Sequence, residues 1–193
     1  MSLNLGDIES AEKELSRATD LGVVSRSAVS MHYRILLAKG KFADVLAELG
    51  QGANNLEEAD ISLYRGQALL GLGSYAPAEK VFRDWLEREP NSVEARMGLA
   101  SALGAQSLWE DARASLNSVL SESPSDVAAL QALATIDFAS KSYESAENGF
   151  KQALANSDSE SNLARHVKIL ASLAETQLIL RKVDDAERTV MTM

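Results

Sequence analysis

Cysteine is absent from the 193 residues, which excludes a disulfide framework, a thiolate metal site and a cysteine nucleophile within them. A cysteine-free chain suits the cytosol and the bacterial periplasm or envelope alike, so either location is expected, with any signal or lipid anchor outside these residues. Aromatic residues make up only 5% and prolines number three, while apolar residues reach 46% with a surplus of Ala, Leu, Ser and Glu. That balance favours helices over sheets. Basic residues are outnumbered 19 to 28, a net charge of −9, which opposes nonspecific nucleic-acid binding and attraction to an anionic membrane surface. No apolar run approaches the roughly 20 residues that span a bilayer. Residues 1–7 lack the basic-then-apolar order of a signal peptide.

Chemistry-bearing constellations are scarce as well. His32 and His166 are the only histidines, and they fall in different predicted helices far apart in the chain, which argues against a shared metal or catalytic site. Gly50-Gln51-Gly52 reads as a loop and Gly71-Leu72-Gly73 as a helix end, and no phosphate-binding loop motif is present. The carboxylates of Glu57-Glu58-Asp60 and Asp184-Asp185-Glu187 lie near predicted helix starts, where they complement the positive end of the dipole. No catalytic, cofactor-binding or metal-binding residue is expected, and no cofactor.

What is present is a period. Six pairs place a small residue four positions before a larger one: Ala11/Leu15, Val45/Leu49, Ala78/Phe82, Ala112/Leu116, Ala146/Phe150 and Ala186/Val190. Their first members are 34, 33, 34, 34 and 40 residues apart. Gly6, Gly40 and Gly73 each fall five residues before an anchor, where a left-handed residue closes a helix. Pro90 and Pro124 each fall twelve after one, where proline stops the helix carrying the pair. Beyond them, Asn91-Ser92 and Ser125-Asp126 offer oxygens to the free amides of a following helix. One unit is therefore helix, tight turn, helix, stop. An Ala at the anchor lets two helices approach, and the residue one turn along the same face fills the remaining space. A helix pair buries only part of its apolar surface alone, so neighbours must stack on it.

The unit at 59–90 carries Gly66, Leu69, Gly73, Tyr75, Ala78, Phe82 and Pro90 at fixed offsets. That at 93–124 carries Leu99-Ala100, Leu103, Trp109, Ala112, Leu116 and Pro124, and the next carries Leu133-Ala134, Tyr143, Ala146 and Phe150. This pattern resembles the tetratricopeptide repeat. The resemblance implies an all-α, right-handed α-α superhelix of about eleven antiparallel helices, a single array over 1–193. Its expected parts are an orphan second helix at 7–18, repeats at 25–55, 59–90, 93–124 and 127–158, and an irregular, truncated fifth at 162–193. The outer units depart from the pattern: His32-Tyr33 stands where Leu-Gly is usual and Val45 where Ala is usual. The polar stretch 155–162 holds six extra residues, as a longer loop or an extended helix end. An opening in mid-unit and an uncapped end at Met193 point to a piece of a longer array. The segment Leu86–Ala100 also resembles long bacterial envelope lipoproteins of the exopolysaccharide and protein-sorting type.

In that family the first helix of each unit lines a concave face. Carried over position by position, the resemblance implies a groove formed by Met31, Arg34, Tyr64, Gln67, Met97, Ser101, Gln131, Thr135, Phe138 and Glu175. Such a mixed lining suits a peptide or helix with apolar anchors, so a protein or peptide partner is expected, with no nucleic acid and no membrane insertion. The dicarboxylate clamp of chaperone cochaperones is missing, since its positions hold Ser30, Arg34, Tyr64, Glu94 and Gly98. Trp109 is expected in the core, whereas Trp85 either fills a gap between repeats or reaches the surface. The expected function is a non-catalytic scaffold or adaptor; the alternative is a substrate-recruiting region of an enzyme, such as a glycosyltransferase, whose catalytic domain lies elsewhere. Self-association is a further expectation, through uncapped ends exposing Ile8, Ala11 and Leu15 or Val183, Ala186 and Val190.

Overall fold

The computed structural model describes residues 5–20, 25–52, 55–158 and 162–192. Among them are eleven α-helices and no strand. The helices are α1 (Leu5–Asp20), α2 (Arg26–Ala38), α3 (Phe42–Gln51), α4 (Glu58–Gly71), α5 (Tyr75–Arg88), α6 (Val93–Ala105), α7 (Trp109–Glu122), α8 (Val127–Ala139), α9 (Tyr143–Ala155), α10 (Leu163–Ile179) and α11 (Val183–Val190). They fall into two compact units, residues 1–98 and 99–193. In the first, α1 packs on α2, and α4 packs on α2, α3 and α5. In the second, α8 packs on α7 and α9, and α10 packs on α9 and α11.

One turn recurs through both units. After α2, the amides of Gly40 and Lys41 donate to the carbonyls of Leu37 and Leu36, and after α4 those of Gly73 and Ser74 donate to Leu70 and Leu69. Gly40 and Gly73 sit at φ +70° and +72°, the left-handed region that glycine enters without steric cost. The same pair of bonds closes α6, α8 and α10, but there the left-handed residues are Ser107, Lys141 and Arg181, at φ 61°, 64° and 59°. Gly6 departs from the expected punctuation, because α1 runs through it from Leu5.

Helix starts divide into two kinds. Ser25, Ser92, Asp126 and Asn162 each accept a hydrogen bond from an amide in the first turn of α2, α6, α8 and α10. The helices after the tight turn, α3, α5, α7, α9 and α11, start without a side-chain cap, as does α4 after Glu57. Pro77 lies in the first turn of α5, where its missing N–H would have had no helical partner. Pro90 and Pro124 follow the ends of α5 and α7 and are exposed.

The small-to-large pairs supply much of the core, except at the two outer pairs, where Leu15 is half-buried and Val190 exposed. Val45, Ala78, Phe82, Ala112, Leu116, Ala146, Phe150 and Ala186 are all buried; the side chain of Ala11 lies outside the described residues. In the first unit Tyr33, Leu36, Val45, Leu49, Tyr64 and Ala68 form one cluster, with the Tyr33 and Tyr64 rings stacked 5.3 Å apart. Phe82 of α5 presses against Gly66 of α4 and Gly98 of α6, where a Cβ on either glycine would overlap the ring. Burying such a ring stabilises the fold by about 1.5–3 kcal/mol. Trp85 is buried, which resolves its two readings in favour of gap filling, and its Nε1 finds no hydrogen-bond partner among the described residues. In the second unit Leu130, Ala134, Ala146, Phe150, Ala153, Ile169 and Leu173 form the core.

The six extra residues before the last helix pair are partly absorbed by α10, which has 17 residues where α6 and α8 have 13. Asn162 sets this early start by accepting from the Arg165 amide at 3.1 Å. The extension adds one helical turn, bearing side chains that the regular units do not have.

Candidate functional site in the second unit

The second unit holds a cavity of about 440 Å³. Its walls come from the last half of α6 (Ala100, Ser101, Gly104, Ala105), the inner face of α7 (Trp109, Leu116), α8 (Ala128, Gln131, Ala132, Thr135, Ile136, Ala139) and the first turns of α10 (Arg165, Lys168). Small residues create the space: alanines line α6 and α8, and Gly104 lets the end of Ile136 lie where a Cβ would stand. The size falls within the roughly 300–1,000 Å³ typical of ligand pockets. Its floor is apolar, and its polar groups are the Ser101 hydroxyl, the Gln131 amide, the Thr135 hydroxyl, which donates to the Gln131 carbonyl at 2.8 Å, and the two cations of α10.

Three of the ten residues assigned to the groove from the family resemblance, Ser101, Gln131 and Thr135, meet at this cavity. The other two of this unit do not line it: Phe138 turns its ring edge-on to Tyr143 at 5.6 Å beside the core, and Glu175 is exposed further along α10. In the first unit Arg34 and Gln67 are exposed, and Met97 is half-buried. Met31 packs beside Ile8 and Ile35 under α1, and Tyr64 is only 4% exposed, its ring held in the core by the stack on Tyr33. The Tyr64 ring is therefore core and not groove surface, a correction to the expectation drawn from its offset.

Trp109 lies at the cavity wall, half-buried, which revises its expected place in the core. Arg165 was not among the expected groove residues because it lies in the added first turn of α10, which offsets counted back from Ala186 do not include; Lys168 falls at a regular offset, equivalent to Ala128 in α8 and Glu94 in α6, that was not among those carried over as groove lining. The usable signals were Asn162, a side chain suited to begin a helix, and two basic residues one turn apart behind it.

Ion pairs brace the unit around the cavity. The Arg113 guanidinium on α7 donates to Asp137 of α8 at 2.7 Å; that bond holds Arg113 above its ordinary pKa against the opposing effect of burial. Burial alone would raise the Glu147 carboxyl, but hydrogen bonds from Lys151 and Lys182 outweigh it and hold the group below the usual range. The histidines engage locally: His32 Nε2 meets Glu48 at 2.8 Å, and His166 Nδ1 meets the Ser157 hydroxyl at 2.7 Å. Among the described residues, no helix is long and apolar enough to cross a membrane.

At the chain ends, Ile8 is buried against Ile35, so it offers no exposed apolar surface, contrary to the expectation for that end. Ala186 is likewise buried, but Val183, Val190 and Met191 are 51%, 53% and 83% exposed.

Helix pairs closed by one repeated turn and joined by small-to-large seams define a helical-repeat protein of the solenoid class. A family model described as tetratricopeptide repeat matches residues 34–93, 65–127 and 97–161, and the chain belongs to that family. Proteins of this family generally serve as protein-interaction scaffolds. No curated protein gives a significant sequence match. Among solved structures, the chain resembles a tetratricopeptide repeat protein from Parabacteroides merdae (TM-score 0.63, 17% identity, covering 97% of this chain and 72% of that one). It also resembles a thermophilic repeat protein of Thermus thermophilus (0.62, 19%, 96% and 89%) and residues 41 to the end of MamA from Desulfovibrio magneticus (0.59, 17%, 99% and 94%). At these identities the likeness shows the fold alone.

Proposed function

We propose that the chain is a non-catalytic scaffold or adaptor that holds a segment of a protein partner in the cavity between α6, α8 and α10, within a longer bacterial repeat protein of the envelope type that Leu86–Ala100 resembles. The observation that supports this reading is the cavity itself, whose apolar floor is bordered by the polar side chains of Ser101, Gln131 and Thr135. Occupying it would bury apolar surface that now faces solvent, and a helix or extended peptide could meet the hydroxyls and amide while an apolar side chain fills the alanine-lined floor. The test is affinity capture with the full-length protein against a variant carrying Ser101→Trp and Thr135→Trp, with helix content checked by circular dichroism. Loss of a partner with unchanged helicity supports the reading, and unchanged capture of every partner removes it.

A second reading, self-association at the α11 end, is favoured by the exposed apolar side chains of Val183, Val190 and Met191. Sedimentation over a concentration series tests it with Val183→Glu plus Val190→Lys. Association abolished by the pair supports it, and a strictly monomeric wild type overturns it.

A further inference from the structure

We infer that the cavity selects an acidic segment, one that places a carboxylate next to an apolar anchor; this rests on the reading of the cavity as a partner-binding groove. Arg165 and Lys168 stand three residues apart on α10, hence on one face, and both border the cavity. Among the described residues, neither side chain makes an ion pair, and no carboxylate lines the cavity. Within the same unit Arg113 is held by Asp137, and Lys151 and Lys182 are both held by Glu147, while Lys141 and Arg181, also without an ion pair among the described residues, do not border the cavity. In a chain of net charge −9, two cations left side by side at an apolar opening form a local positive field against the overall sign.

Arg165 is half-buried and Lys168 exposed, so they have different work to do. The planar guanidinium, already partly withdrawn from water, suits a bidentate grip on one carboxylate at the cavity mouth. The lysine, a mobile point charge one turn along, steers acidic residues flanking that contact and speeds encounter. The apolar floor beneath takes the adjoining Leu, Ile, Phe or Met side chain. A basic segment would meet repulsion from both cations, and an uncharged one would leave the guanidinium without a counter-charge, so the site discriminates by charge as well as by shape.

The experiment is selection of a phage-displayed random dodecapeptide library on the 193-residue chain, on Arg165→Glu plus Lys168→Glu, and on Thr135→Trp, all three matched for helix content. Expected for the wild type is enrichment of Asp or Glu beside a large apolar residue, with affinity falling about tenfold or more on charge reversal and weakening with added salt. The reversed variant should select Lys or Arg instead. Peptides that are blocked by Thr135→Trp yet show no acidic enrichment, or no shift on charge reversal, overturn the acidic preference and leave the groove reading standing. Peptides indifferent to Thr135→Trp, or no selected peptides at all, overturn both.

Discussion

Arg113 Nε on α7 lies 2.7 Å from Asp137 Oδ1 on α8, and the same guanidinium reaches Glu110 and the hydroxyls of Ser140 and Ser142. One side chain thus ties the second helix of one pair to the first helix and turn of the next. Asp137 is only 9% exposed, so its removal leaves a partly buried cation short of its main acceptor. Asp137→Ala is expected to cost about 1–3 kcal/mol in urea unfolding. Arg113→Lys should not restore the lost stability, because a point charge cannot serve a carboxylate and two hydroxyls together. A neutral outcome for both variants would remove this contact from the account of how the pairs are joined.

The three left-handed residues other than glycine store a steric cost. Lys141→Gly, at φ 64°, is expected to stabilise the chain by about 0.5–1 kcal/mol, since the turn's hydrogen bonds stay in place and the Cβ clash disappears. Gly73→Ala, in the corresponding turn, should do the opposite by about 1 kcal/mol. Thermal denaturation of the two variants reads both signs, and equal effects would show that the turn residue is not the controlling feature.

Ala112 is fully buried in the seam of α7. Ala112→Leu is expected to overpack it at about 1–3 kcal/mol, and Phe82→Ala should empty the space against Gly66 and Gly98 at about 3–5 kcal/mol. Hydrogen exchange would show which unit each change loosens: the second for Ala112, the first for Phe82.

Glu147 sets a pH dependence. Its folded-state carboxyl titrates below the ordinary range because Lys151 and Lys182 donate to it at 2.7 and 2.5 Å, so the native state takes up the proton less readily than the unfolded chain. The stabilisation is complete above the unfolded value of about 4.3 and is lost as pH falls through the depressed folded value. Glu147→Gln should cost about 1–2 kcal/mol near neutrality, the half-exposed lysines limiting the effect. The gap from wild type should narrow as the pH falls through and below the ordinary carboxylate range; a gap that stays constant contradicts the assignment.

Much of the fold was legible because one steric requirement, small against large at a fixed offset, recurs at Ala78, Ala112, Ala146 and Ala186. The turns were legible only at Gly40 and Gly73. Ser107, Lys141 and Arg181 adopt the same geometry without the glycine that announces it, since two backbone hydrogen bonds and the flanking helices over-determine the turn. The site was less legible. An offset places a residue on a helix face but does not say whether a neighbour covers it: Tyr64 is covered through its stack on Tyr33, and Met31 packs under α1. Arg165 escaped because its position depends on how the extra residues before α10 divide between connector and helix, which the local capping of Asn162 decides; Lys168 stands at a regular offset whose counterparts, Glu94 and Ala128, gave no basic signal.

The central claim, that the α6–α8–α10 cavity holds a partner segment, is tested most directly by site-specific photocrosslinking in the full-length protein in its native cells. Thr135→p-benzoylphenylalanine places the probe at the cavity, and Asn117→p-benzoylphenylalanine places it at an exposed position on α7 away from the cavity lining. The account predicts a discrete crosslinked partner from position 135 that is absent from position 117 and is lost when Arg165 and Lys168 are both changed to Glu. No crosslink from 135, or the same crosslinks from both positions, would contradict it.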